Sequence, residues 1–221
     1  LEVHVSTQAS ASNSESVNEY ASMGASRVIV ARELSLKQVK AVASESIIPV
    51  EVFIHGSMCV SISGRCFFSQ FMYGANANRG DCYQPCRQPW TVKNEEGEFI
   101  YDGSRFLNSK DLCMIEHVPE LIESGVASLK IEGRMKDANY VSTVTSVYRE
   151  ALDDFKEERV PEWLADLKRV FNRGFCTGFY FNEPEETSES GNQSTQRKEF
   201  IGEVMNYYKE PGVAEVVLKT G

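Results

Sequence analysis

Short, almost wholly apolar runs recur at intervals of roughly 20-odd residues in the first part of this sequence, each followed by a stretch with helical spacing. LEVHV, Leu1 to Val5, opens the series as an alternating strand; Ser14 to Ala25 then carries a helical period with Gly24 as its stop. RVIVA (Arg27 to Ala31) is a second run, Ser35 to Ser46 a Ser-capped helix, and after Pro49 comes a third run, VEVFI (Val50 to Ile54). Apolar strands separated by amphipathic helices pair in parallel with both faces covered, which places the chain in the α/β class. The pattern resumes at Asp111 to Ser124 (helix), Ala127 to Ile131 (strand), Asp137 to Glu158 (long helix) and Glu162 to Asn172 (short helix). Four βα units are half of a (β/α)₈ barrel, so residues 1–182 are predicted to form the second half of a partial TIM-like barrel. A small open α/β sheet, complete as it stands, is the alternative. Leu1 already lies within a strand, so the N-terminus reads as cut. The raw sheet edge of a half-barrel predicts either a homodimer across that edge or disorder near Leu1.

The rhythm is interrupted from Ser57 to Asn108, a span rich in Gly, Asn, Arg and aromatic residues with four cysteines and no regular helical period. An irregular insertion of that length inside a compact domain is usually functional. Residues 183–198, EPEETSESGNQSTQRK, read as a linker, and residues 199–221, alternating about Pro211-Gly212, as the start of a small β domain.

No apolar run approaches the ~20 residues of a membrane helix, and no charged-then-apolar signal segment opens the chain. Six cysteines among 221 residues that are 42% hydrophobic suit a reducing compartment better than a disulfide scaffold, which predicts a cytoplasmic protein. The net charge of -9 offers no global attraction to nucleic acid. Between Cys59 and Lys93, however, Arg65, Arg79, Arg87 and Lys93 stand against Asp81 alone, a local basic surface able to meet phosphate.

In parallel α/β folds the working residues lie at the carboxyl ends of strands. Those positions hold Ser6-Thr7-Gln8, Arg32-Glu33, His55-Gly56 and Glu132-Gly133-Arg134. Gly133 implies a close approach there, and Arg134 suits a bidentate grip on an anion. Six residues separate Cys59 from Cys66, fifteen more precede Cys82, and three more precede Cys86. Four soft ligands on a Gly-rich loop suit zinc or an iron–sulfur cluster. Cys113 is a fifth candidate, and Cys176, among apolar residues, reads as packing. Of the three histidines, His4 is expected to point into the barrel or a neighbouring helix, and His117 to lie at a helix end. His55 alone reads as a rim residue, leaving a Cys59–His55 nucleophile pair open. Neither HExxH nor Gly-x-Ser-x-Gly occurs.

The stretch EVFIHGSMCVSISGRCFFS resembles the signature of the peptidase U32 family in Glu51, Phe53, Gly56, Ser57, Cys59, Gly64, Cys66 and Ser69. ARELSL, NRGDCYQPCR, NSKDLC and IEGRMK are similar to further stretches of that family, in order along nearly the whole chain. The resemblance implies a TIM-like barrel followed by a small β domain. The family name implies proteolysis, as in collagenase-like proteases. Better-defined relatives act in hydroxylation of transfer RNA uridine, ribosomal RNA cytidine or ubiquinone. The ubiquinone relatives hold a [4Fe–4S] cluster on four cysteines, and the transfer RNA branch, which these motifs resemble most, is tied to prephenate. By that likeness Cys59, Cys66 and Cys82 match cluster ligands, with Cys86 or Cys113 as the fourth. The resulting expectation is an RNA hydroxylase with Arg32, Glu33, His55, Glu132 and Arg134 at the substrate mouth. A peptidase and a non-catalytic, cluster-bearing scaffold are the alternatives.

Overall fold

The structure, a computed structural model, describes residues 1–182, 187–189, 191–195 and 202–218. In chain order the elements are β1 (His4–Val5), α1 (Ser14–Ser22), β2 (Arg27–Ile29), α2 (Leu36–Glu45), β3 (Val50–Ser57), α3 (Phe68–Tyr73), β4 (Trp90–Lys93) and β5 (Phe99–Ser104). They continue with β6 (Asp111–Cys113), α4 (Val118–Glu123), β7 (Ser128–Ile131), α5 (Ala138–Asp153), α6 (Val160–Arg169), β8 (Phe175–Cys176), β9 (Gly202–Tyr208) and β10 (Val213–Leu218).

β1, β2, β3 and β7 are parallel neighbours in the order of the chain. A helix lies in each connection, which is what a parallel pair requires, since a tight turn cannot reverse the chain. The helices are defined locally. Asn13 and Ser16 form a capping box on α1, and Ser35 and Gln38 form one on α2. Their inner faces, with the buried stripe Tyr140, Val144, Val147, Tyr148 and Ala151 of α5 and Trp163 and Leu167 of α6, close over the apolar strands Val28 to Val30 and Val50 to Ile54.

Several expectations need correction. Residues 111–124 are not one helix: β6 comes first, lying antiparallel to the end of β3 with His55 opposite Cys113, then a 3₁₀ turn at Ile115–His117, then α4. The segment is claimed by the open end of β3, which continues past Ile54 to Ser57. β8 pairs parallel with β6, giving a six-stranded mixed sheet. α5 ends at Asp153 rather than near 158. The insertion 57–108 is not wholly irregular; it contains α3 and the antiparallel pair β4–β5. His4 is exposed beside Glu2, at 3.5 Å, instead of pointing inward.

Within 183–198, the described residues 187–189 and 191–195 return hydrogen bonds to the body. The Ser188 amide donates to the Asn108 carbonyl at 2.7 Å, the Gln193 amide to Asn172 at 2.7 Å and the Thr195 amide to Lys168 at 2.8 Å. Residues 183–186, 190 and 196–198 lie outside the described residues. β9 and β10 form an antiparallel hairpin about Pro211-Gly212, as the alternation predicts. No helix among the described residues is long and apolar enough to cross a membrane.

Candidate functional site

Where the parallel strands end, the first half of the insertion folds back and encloses a cleft of about 600 Å³. Three anchors hold that loop. Gly64, at φ +74°, lies so close to the chain at Gln8 that a Cβ there would stand 2.1 Å from the Gln8 carbonyl oxygen. The Glu33 carboxylate accepts from the Ser63 amide at 2.6 Å and from its hydroxyl at 3.0 Å. The Arg87 guanidinium donates to Asn108 Oδ1 at 3.1 Å, to the Ser109 carbonyl at 2.6 Å and to the Met58 carbonyl. Glu33 is therefore a loop clamp rather than a wall of the cleft.

Cys59, Cys66, Cys82 and Cys86 all line this one cleft, and none is in a disulfide. Arg32 Nη1 donates to Cys59 Sγ at 2.9 Å, while the same guanidinium lies 4.2 Å over the Phe53 ring. Burial pushes the Cys86 thiol up to about 11, Arg87 draws it down, and Cys59, Cys82 and Cys66 push it up again. The Cys86 thiol thus lies within electrostatic reach of the other three sulfurs. Protons must leave such thiols before they bind a metal, and a bound cation supplies the compensation. Four unpaired thiols facing one cavity is the donor chemistry that thiophilic ions require. Among the described residues no three His, Cys, Asp or Glu side chains are drawn in around a single-ion position. Cys113 is not part of the set. It is buried on β6 with its thiol pushed up to about 12 by burial, and the Tyr148 hydroxyl contacts its sulfur at 3.9 Å. Cys176 packs against the core from β8.

The cleft is cationic on an acidic protein. Arg32, Arg87, Arg134, Lys136 and Arg173 line it against Glu132 and Asp137. Arg173, 7% exposed, donates to Asp111 Oδ1 at 3.0 Å and to Ser57 Oγ at 3.2 Å, so its charge is fixed and mostly neutralised. Lys136 has its Nζ 3.3 Å from the Phe171 ring centroid. Burial first, then the charges of Arg173 and Arg87, push its ammonium down to about 8 against the opposing pull of Asp111 and Glu132. Glu132 accepts from the Arg134 amide at 3.1 Å, turning the chain so that Arg134 stands exposed at the mouth.

His55 is not a rim residue. It is 2% exposed, its ring enclosed by Tyr140, Tyr148 and Phe175, with Nδ1 3.3 Å from the Tyr148 hydroxyl. Burial and the Lys136 charge hold it neutral, down to about 3. Gly133 has the close approach expected of it, a Cβ there lying 3.3 Å from Val141 Cγ2, and Gly56 has a tighter one: at φ +105°, its Cβ would lie 2.4 Å from the Glu132 carbonyl oxygen. Sequence pattern gives no warning of Lys136 or Arg173 as cleft residues, although Lys136 stands in the IEGRMK stretch, just beyond the carboxyl end of β7.

Residues 1–190 match the pattern described as Peptidase family U32. The chain is 42% identical to an uncharacterised protease of Methanocaldococcus jannaschii, over 99% of this chain and 58% of that protein. It is 34% identical to a collagenase of Porphyromonas gingivalis (100% and 58%) and 39% identical to a tRNA hydroxylation protein of Bacillus subtilis (94% and 52%). The chain thus spans about half the length of the curated relatives it matches. No solved structure matches it significantly.

Proposed function

The chain belongs to peptidase family U32, and on that footing we propose that it is part of an RNA-hydroxylating enzyme acting on a uridine of transfer RNA, with Cys59, Cys66, Cys82 and Cys86 holding a [4Fe–4S] cluster. The carrying observation is the convergence of four free thiols on one cationic cleft. The similarity to a tRNA hydroxylation protein supports the choice of reaction. The parallel order β1-β2-β3-β7 supports a finer reading of the fold, as a portion of a TIM-like barrel.

When bound, such a cluster supplies one-electron chemistry. The chain's own groups do the rest. Arg32 holds Cys59 through its sulfur and offsets negative charge gathered on the thiolates. Phe171 and Tyr140 form an apolar wall that limits water at the cleft floor. Lys136 Nζ, at about 8, gains or loses a proton close to neutral pH and is the group that takes up or returns a proton there. Arg134, oriented by Glu132, meets phosphate or a carboxylate at the mouth, and a prephenate-related acid is the small molecule proposed for this cationic floor.

A Cys59–His55 peptidase pair has poor support, because His55 faces Tyr148 inside the core. The test is mass spectrometry of transfer RNA from a deletion strain complemented with wild-type or Cys59→Ser protein. Hydroxyuridine is expected to return with the wild type and to stay absent with the variant. Equal restoration by both would refute the role of the thiol, and hydroxyuridine unchanged by the deletion would refute the reaction.

A further inference from the structure

The insertion carries a surface that the cleft does not use. α3 begins two residues after Cys66, and it buries Ser69 while Phe68 stacks on Trp90 at 5.3 Å. Its opposite face is turned to solvent. Phe67 is 62% exposed and Phe71, one turn on, 87% exposed. Beside the helix Tyr73 and Tyr83 meet at 5.5 Å, and Tyr83 is placed by its amide, which donates to Ser69 Oγ at 3.1 Å. So many exposed rings on one short segment are costly to leave in water and mark an interaction site.

The charges around the rings select the partner. Arg65 and Arg79 are exposed, Arg134 stands at the cleft mouth, and among the described residues none of the three is in an ion pair. Arg134 reaches toward Gly80, its Nη1 lying 3.5 Å from where a Cβ would be, so this cation borders the same insertion. Aromatic rings and arginine also mark protein–protein interfaces. Exposed rings beside guanidinium groups outside any ion pair are equally the combination that binds single-stranded nucleic acid, with bases stacking and phosphates meeting cations. The adjoining cleft, read above as RNA-modifying, selects the latter. Phe67 and Tyr83 are also the immediate chain neighbours of the cleft thiols Cys66 and Cys82. A strand stacked on them is led to the cleft mouth.

We propose that the outer face of the Cys-rich insertion, Phe67, Phe71, Tyr73 and Tyr83 flanked by Arg65 and Arg79, is a stacking platform for unpaired bases of an RNA loop, delivering one nucleotide to the cleft. This rests on the RNA-modifying reading above and adds to it the surface that recognises the substrate. Because duplex RNA keeps its bases stacked, the platform discriminates against it.

Binding of a fluorescent anticodon stem-loop RNA and of a blunt duplex control is measured by anisotropy on anaerobically prepared full-length protein. The wild type is expected to bind the stem-loop in preference to the duplex. The Phe71→Ala/Tyr83→Ala double variant should bind it at least about tenfold more weakly. Phe71→Tyr, which keeps a ring, should bind as the wild type does. Arg65→Ala and Arg79→Ala should each lower the slope of log affinity against log salt by ~0.7. Unchanged iron content and circular dichroism in every variant serve as the folding control. Should the wild type bind no RNA, the functional reading itself fails. Should it bind while the double variant binds equally well, only the platform fails. Protection of Phe71 and Tyr83 from hydroxyl-radical labelling before RNA is added would likewise overturn the platform, since the face would then be covered by protein.

Discussion

At the scale of single residues, His55 sits where a strand end leads one to expect chemistry, yet it behaves as core. Its neutral ring is wedged among three aromatic rings, and a charge there is unfavourable because burial removes the water that would solvate it. The free histidine value of 6.5 falls to about 3 in the fold. The unfolded chain therefore binds a proton below 6.5 that the folded chain refuses, and stability is lost as pH falls from about 6.5 toward 3. The contribution is on the order of 3–5 kcal/mol. Urea midpoints taken at pH 7, 5.5 and 4.5 should fall steeply for the wild type and less steeply for His55→Gln; parallel slopes would show that other groups govern the acid response. Position in the sequence indicated that His55 ends a strand region. It did not indicate that β3 runs on to Ser57 and carries the residue into the sheet beside β6. Glu33 is a similar case: the strand-end rule located it, but only its bonds to Ser63 show that it ties down the thiol loop.

At the scale of elements, β3 is the axis on which the sheet turns. Val50 and Glu51 pair with β2 and Glu51 to His55 with β7, while its last three residues pair with β6. Tyr148 of α5 fastens this junction, donating to the Ile54 carbonyl at 3.0 Å and accepting from the Met114 amide at 3.0 Å. Asp111 opens β6 with a buried ion pair to Arg173. Asp111→Ala would leave the guanidinium buried without its partner, and a loss of about 3–5 kcal/mol is expected from urea denaturation. A loss under 1 kcal/mol would mean that Arg173 swings out to solvent at little cost. Gly64→Ala is expected to cost at least ~1–3 kcal/mol through its positive φ and its collision with Gln8. The same variant should lose bound iron, because Gly64 positions the loop between Cys59 and Cys66. The helix and strand periods were legible because each element is amphipathic or wholly apolar by itself. β6 was not, since Asp-Leu-Cys has no period of its own and becomes a strand only through the edge that β3 offers.

At the scale of the whole molecule, an acidic chain lines one cleft with both cationic side chains and thiols. The net charge of -9 is a sum over the whole chain, whereas five cationic side chains line the cleft. Composition conceals such a contrast, because Arg32, Arg87, Lys136 and Arg173 come from separate loops and turns. Only folding brings them to one place. The thiols were easier to find, three of the intervals between them being fixed within one insertion, although only the fold separates Cys86, which lines the cleft, from Cys113, which is buried on β6. A cationic setting lowers the cost of gathering thiolates and anionic substrate together, which a neutral cleft would not.

The most direct test of this account is iron and sulfide content per chain of the anaerobically purified full-length protein, compared with Cys→Ser variants at all six cysteines. About four iron and four sulfide are expected in the wild type. Loss is expected at Cys59, Cys66, Cys82 and Cys86, and retention at Cys113 and Cys176. A wild type without iron, or iron that survives serine at any two of the four cleft positions, would contradict it.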